Sequence, residues 1–168
     1  MAFKEIECEI GGDQLLMNSP HMMIEGEEGI VSRTKKRDPK EEAEKVVYRK
    51  KGGELYIPNT AVKGALLNAS KAKKAGKYAL RPFIASGVRI EPEQIGLGVK
   101  EYEIDKRTVV IQRNRVVKCR PLVRDWKAKF TVIFDDEILA DGNTQLLPLF
   151  EEAGRRVGIL DFRPVSLL

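Results

Sequence analysis

The stretch YIPNTAVKGALL, residues 56–67, sets Lys63 and Gly64 side by side where a helix begins. A helix start presents unpaired backbone N–H groups and the positive end of the helix dipole, which together favour an anion. A lysine there adds a mobile cation suited to a phosphate. A glycine removes a side chain, so that another backbone can come close. Glycine also costs a helix about 1 kcal/mol against alanine, so its presence asks for a reason. On spacing alone, phosphate binding and simple helix–sheet packing with a solvated lysine explain the pair equally well.

The surrounding charge favours the anion. From Leu55 to Ile90 there is no Asp or Glu, yet the span carries Lys63, Lys71, Lys73, Lys74, Lys77, Arg81 and Arg89. From Lys106 to Lys129, nine basic residues face a single acid, Asp125. The acids gather in the first 28 residues and after Asp135, within a net charge of +5. Such segregation predicts a basic face turned toward a polyanion. In the second span Arg113 and Arg115 flank Asn114, and Lys118 and Arg120 recur two apart. Lys127 and Lys129 share a strand face opposite Trp126, Ala128, Phe130, Val132 and Phe134. Rows at period two suit the tracking of phosphates. They equally suit the solvated side of a half-buried sheet. Tyr48, Tyr56 and Tyr102 are candidates either for stacking on bases or for the edge of the core.

These residues need elements to position them. Residues 3–10 alternate like a strand, and Gly11-Gly12 is expected to end it. A second extended piece follows around Ser19-Pro20. Residues 25–45 are charged and poor in large apolar side chains, which predicts a mobile insertion. Within it Asp38-Pro39 suits the cap of a short helix reaching Val47. KVVYRKKGGELYIP reads as a hairpin turning at Lys51-Gly52-Gly53. Residues 61–74 read as a helix capped by Asn59 or Thr60, and residues 78–100 as irregular. RTVVIQ, RVVKCRPLV and WKAKFTVIF are the strongest strand signals, the last two joined by a tight turn at Val123-Arg124-Asp125. A last helix spans about 143–156, with Pro148 in its first turn, and the tail ILDFRPVSLL suits a short final strand. Without the insertion the order is strand, helix, strand, strand, helix, strand. This predicts an α+β, ferredoxin-like (RRM-like) split βαβ domain spanning 1–168, with an inserted basic loop and hairpin at about 25–55.

With 168 residues, one domain with a real core is expected. No apolar run approaches the roughly 18 residues of a membrane helix, and the first residues do not read as a signal peptide, so a cytoplasmic location is expected. Cys8 and Cys119 suit buried free thiols. With a single histidine and no Cys-x-x-Cys, neither a metal nor another cofactor is expected.

YIPNTAVKGALL resembles the IPGSSxKGxLR motif of the RAMP superfamily of CRISPR-associated proteins, with Asn59 at its glycine and Leu67 at its arginine. Upstream, LLMNSPHMMIEG is similar to the strand and Ser-Pro turn that precede that motif. The resemblance is nearest to backbone subunits, which coat guide RNA as a filament. It implies that Ser19, Lys63 and the helix start at Thr60 line an RNA backbone, with His21 and Gly64 beside them. It also implies that a flexible loop holding Arg33, Lys35, Lys36 and Arg37 reaches toward the strand or a neighbouring subunit. By the same resemblance His21 and Asp38 are candidates for RNA cleavage, beside a structural or RNA-lining role for His21 and a helix cap for Asp38.

The expectation is therefore a single-stranded nucleic-acid binder, RNA by resemblance, acting through non-specific phosphate contacts and assembling as a homo-oligomer or filament. Its site is Ser19, His21, Arg33, Lys35, Lys36, Arg37, Thr60, Lys63, Gly64, Arg113, Arg115, Lys118, Arg120, Lys127 and Lys129, with no catalytic residue. A stand-alone single-stranded DNA binder of a virus or mobile element, a metal-independent endoribonuclease and a partner of an acidic protein are the alternatives.

Overall fold

The computed structural model describes residues 3–20, 38–139 and 142–161. In chain order these form β1 (Phe3–Leu16), α1 (Pro39–Glu44), β2 (Tyr56–Pro58), α2 (Asn59–Ala69), β3 (Lys74–Ala75), β4 (Tyr78–Ala79), α3 (Leu80–Gly87), β5 (Val88–Glu91), β6 (Gln94–Gly96), β7 (Glu103–Ile111), β8 (Asn114–Asp135) and α4 (Gly142–Glu152). A 3-10 turn at Ser70–Ala72 follows α2, and a π turn at Ala153–Val157 follows α4. The chain is α+β, and every strand pair is antiparallel.

The main sheet is organised by β8. Its residues from Leu122 to Asp135 pair with β1, those from Thr131 to Phe134 with β5, and those from Asn114 to Leu122 with β7. Because Leu122 pairs with Leu16 and with Glu103, β1 takes one edge of β8, and β5 and β7 share the other. β1 and β5 therefore run parallel on either side of β8. Trp126, Ala128, Phe130, Val132 and Phe134 point inward at period two, as the sequence predicts, and meet Val62, Ala65, Leu66 and Ala69 of α2 in one core.

Two breaks expected from the sequence are absent. Gly11-Gly12 does not end β1, which continues to Leu16. The glycines are there for close approach. A Cβ on Gly11 would lie 2.8 Å from the Trp126 carbonyl oxygen, and one on Gly12 would lie 3.1 Å from Trp126 Nε1. Val123-Arg124-Asp125 is likewise not a turn. Asp125 takes a left-handed φ of 46°, but Gln14 pairs with Arg124 and Gly12 with Trp126 in unchanged register. The reversal lies at Gln112-Arg113, whose φ values of 47° and 67° match the two-residue primed turn that suits strand twist.

Other boundaries moved for local reasons. α2 stops at Ala69 because buried Ser70 bonds through Oγ to the Leu67 carbonyl and turns the chain. Residues 78–100 are not irregular: Leu80, Phe83, Ile84 and Gly87 give α3 a helical stripe, and Pro82 lies in its first turn, where a missing N–H costs nothing. Val-Arg-Ile-Glu then alternates as β5. Pro148 lies inside α4 rather than in its first turn. Asp38 caps α1, accepting from Lys40 N–H at 3.1 Å. The expected insertion is part of the core from that point on, through buried Ala43, Val47 and Leu55. The hairpin around Lys51–Gly53 is present in outline, with Arg49 bridged to Leu55. Cys8 and Cys119 are free thiols, and burial pushes both up in pKa. Of the tail, Asp161 bridges to Leu16, and residues 162–168 lie outside the described residues.

Gly11→Ala should lower unfolding stability by about 1–3 kcal/mol in urea denaturation, because main-chain oxygen occupies the space. Gly52→Ala, with nothing within 4 Å and no positive φ, should change it by less than about 0.5 kcal/mol.

Candidate nucleic-acid interface

β2 delivers the chain to α2 through Pro58, which stands at the N-cap with extended backbone and gives no side-chain cap. Asn59 takes over the bracing. Its N–H donates to the Glu93 carbonyl and its Nδ2 to the Ile90 carbonyl, both at 2.9 Å. The side chain ties the helix start to β5, which glycine at that position could not do. Thr60 is exposed. It lines a polar cleft of about 360 Å³ together with Asn18, Tyr48, Pro58, Ala61, Leu160 and Asp161. Asp161 makes that cleft less than ideal for a phosphate, although Arg120 Nη1 compensates it at 2.9 Å.

Lys63 and Gly64 sit one turn further along. Lys63 Nζ donates to the Ala85 carbonyl at 3.0 Å and so caps the C-terminal end of α3. An ammonium carries three donors, which leaves two for another acceptor. A Cβ on Gly64 would meet nothing within 4 Å. Helix–sheet packing therefore does not explain the glycine, and one of the two readings of the pair loses its support.

Beyond α2 the chain keeps its acid-free character. Lys71, Lys74, Lys77 and Arg81 are exposed and, among the described residues, have no carboxylate partner, whereas Lys73 pairs with Glu152 at 3.3 Å. These residues belong to the α2–α3 unit together with Lys63. They were visible in the sequence as part of the acid-free span, but nothing in their spacing singled them out, because they fall on a 3-10 turn, a hairpin of two-residue strands and the first turn of α3.

The strand rows fare differently. Lys127 and Lys129 do face outward, but β1 lies beside them and presents exposed Glu5, Glu7 and Glu9 on the same face. Lys129 Nζ stands 3.6 Å from Glu9. β5 adds Arg89, which pairs with Glu91 at 3.0 Å. The open sheet face is thus a mixed-charge surface. Arg120 has only 13% side-chain exposure and is held by Asp161. Lys118 shares its face and pairs across from Arg107, which binds Asp105 at 2.7 Å. Arg115 lies on the opposite face of β8, and Arg113 forms the turn, so the four do not make one row.

Ser19 is 4% exposed, with its N–H on the Val46 carbonyl, so it is a core residue and does not line a surface. The three tyrosines considered for stacking are engaged internally. Tyr48 and Tyr56 meet edge to face at 5.5 Å. Tyr102 donates to Glu44 under Arg49, and burial together with that bond pushes its pKa up to about 12. His21, Arg33, Lys35, Lys36 and Arg37 lie outside the described residues. No group of three or more histidine, cysteine or carboxylate side chains gathers to hold a metal among the described residues, and none of their helices is long and apolar enough to cross a membrane. No protein-family model matches the chain, and no curated protein matches its sequence.

With open space around it, Gly64→Ala should raise stability by about 1 kcal/mol, or about 2–4 °C in Tm by calorimetry. Lys63→Ala should lower it by about 0.5–1 kcal/mol through loss of the α3 cap. A fall in Tm for Gly64→Ala would return the glycine to a packing role.

Proposed function

We propose that the chain binds single-stranded nucleic acid along the α2–α3 unit, through phosphate contacts that do not depend on sequence. The observation that carries this reading is that Lys71, Lys74, Lys77 and Arg81 are exposed and without a carboxylate partner among the described residues, on the same acid-free stretch as Lys63, which has donors to spare. Cations left unneutralised along one stretch of chain raise the local concentration of a polyanion and release its counterions on contact. Gly64 fits the same reading, since a bare stretch of helix lets a sugar–phosphate backbone lie close.

RNA is the preferred strand, on the resemblance of YIPNTAVKGALL to the RAMP motif. The same resemblance supports several copies lining up along one strand. Strand order gives independent support to the split βαβ, ferredoxin-like reading. β1 and β5 flank β8, α2 and α3 lie in the crossover between them, and Asp161 reaches the free edge of β1 at Leu16. Binding is preferred to cleavage, because Asp38 is used as the cap of α1.

Anisotropy of a labelled oligo(U) should lose affinity steeply as monovalent salt rises. The double-logarithmic slope should be about −3 to −4 if Lys63, Lys71, Lys74, Lys77 and Arg81 all engage phosphates. Gly64→Ala should weaken binding while stabilising the fold. Unlabelled RNA should compete better than DNA of the same sequence. A flat salt response would contradict phosphate binding, and better competition by DNA would assign the site to DNA.

A further inference from the structure

The aromatic ring of Tyr78 is little used by the fold. Among the large apolar and aromatic side chains exposed in the described residues it is the most accessible, at 70%. It stands on the hairpin of β3 and β4, where Ala75 pairs with Tyr78 and Lys74 with Ala79 across the turn at Gly76 and Lys77. Gly76 has a φ of 61°, which glycine adopts without strain. The hairpin is short but well rooted. Leu80 N–H bonds to the Lys73 carbonyl at 3.0 Å, and Lys73 N–H to the Ser70 carbonyl at 3.1 Å, with Ser70 and Leu80 both buried.

The ring is also oriented. Phe83, on the first turns of α3, meets it edge to face with centroids 6.5 Å apart and planes at 71°. That contact supports one edge of the ring and leaves most of its surface to solvent. None of the nearby cations covers it: the cation–π contact among the described residues is Arg49 over Tyr102. Lys74, Lys77 and Arg81 surround it in sequence at i−4, i−1 and i+3, with no acid among them. An exposed ring resting on Phe83, close in sequence to cations that have no carboxylate partner among the described residues, is an arrangement that stacks on a base while its neighbours hold the flanking phosphates.

We propose that Tyr78 is a base-stacking platform, and that it makes the α2–α3 face selective for unpaired strands. The inference rests on the phosphate-binding function proposed above. A duplex keeps its bases stacked on one another and offers the ring no free face. A single strand offers one at every nucleotide, whatever its sequence, because every base has a π-face.

The test separates stacking from phosphate binding by using two probes of equal length: oligo(U) and an abasic oligonucleotide that keeps the phosphates. The wild-type chain should prefer oligo(U) to the abasic strand and to duplex RNA. Tyr78→Ala should weaken oligo(U) binding by about 5- to 150-fold and abolish the preference over the abasic strand, while Tyr78→Phe and Tyr78→Trp keep it. Lys77→Ala should weaken both probes together and reduce the salt slope by roughly 1. A thermal melt of Tyr78→Ala within a few degrees of wild type checks that the fold is kept. If wild type binds oligo(U) in a salt-dependent way and Tyr78→Ala binds it equally well, the platform is wrong and the phosphate reading stands. If wild type binds neither probe, the proposed function fails and the platform with it.

Discussion

The antiparallel pairing of β8 is the constraint on which the other features depend. One strand of 22 residues provides the partner for β1, β5 and β7, and its inward side chains form the floor of the core. A slip of one residue would turn Trp126, Phe130 and Phe134 to solvent and bring Lys127 and Lys129 inside. The glycine pair of β1 belongs to the same constraint. Gly11 and Gly12 let the strand lie against Trp126, and the register holds on both sides of the left-handed Asp125.

That register also decides the electrostatics. It sets Glu9 across from Lys129, so acids that are far apart in sequence from the second basic span neutralise part of it in space. The helix side has no such partner strand. α2 leads into the β3–β4 hairpin and α3 without an acid, and among the described residues Lys73 is the one cation of this stretch with a carboxylate partner. The two basic spans, similar in composition, therefore have different fates. One is divided between ion pairs, a turn and a mixed-charge sheet face. The other keeps Lys71, Lys74, Lys77 and Arg81 exposed and without a carboxylate partner among the described residues.

Period-two alternation made β1 and the inward face of β8 legible in the sequence, and Asp38-Pro39 announced the cap of α1. The helix at the motif was legible too, because its apolar positions recur at helical spacing. What failed were local signals overruled by pairing. Gly11-Gly12 and Val123-Arg124-Asp125 look like breaks, and only the neighbouring strand shows that they are not. α3 was hidden by Pro82, which a first turn tolerates. For the site, the sequence showed which face Lys127 and Lys129 take but not which strand lies beside them. It drew attention to Tyr48, Tyr56 and Tyr102, which are engaged within the fold, and passed over Tyr78, whose significance lies in having so few contacts.

The most direct test of the central claim is hydrogen–deuterium exchange of the chain with and without saturating oligo(U). Binding along the acid-free unit predicts slower exchange at residues 63–81 and unchanged exchange at residues 5–9 and 127–129. Protection concentrated on β1 and β8, with none between Lys63 and Arg81, would contradict it and move the interface to the open face of the sheet.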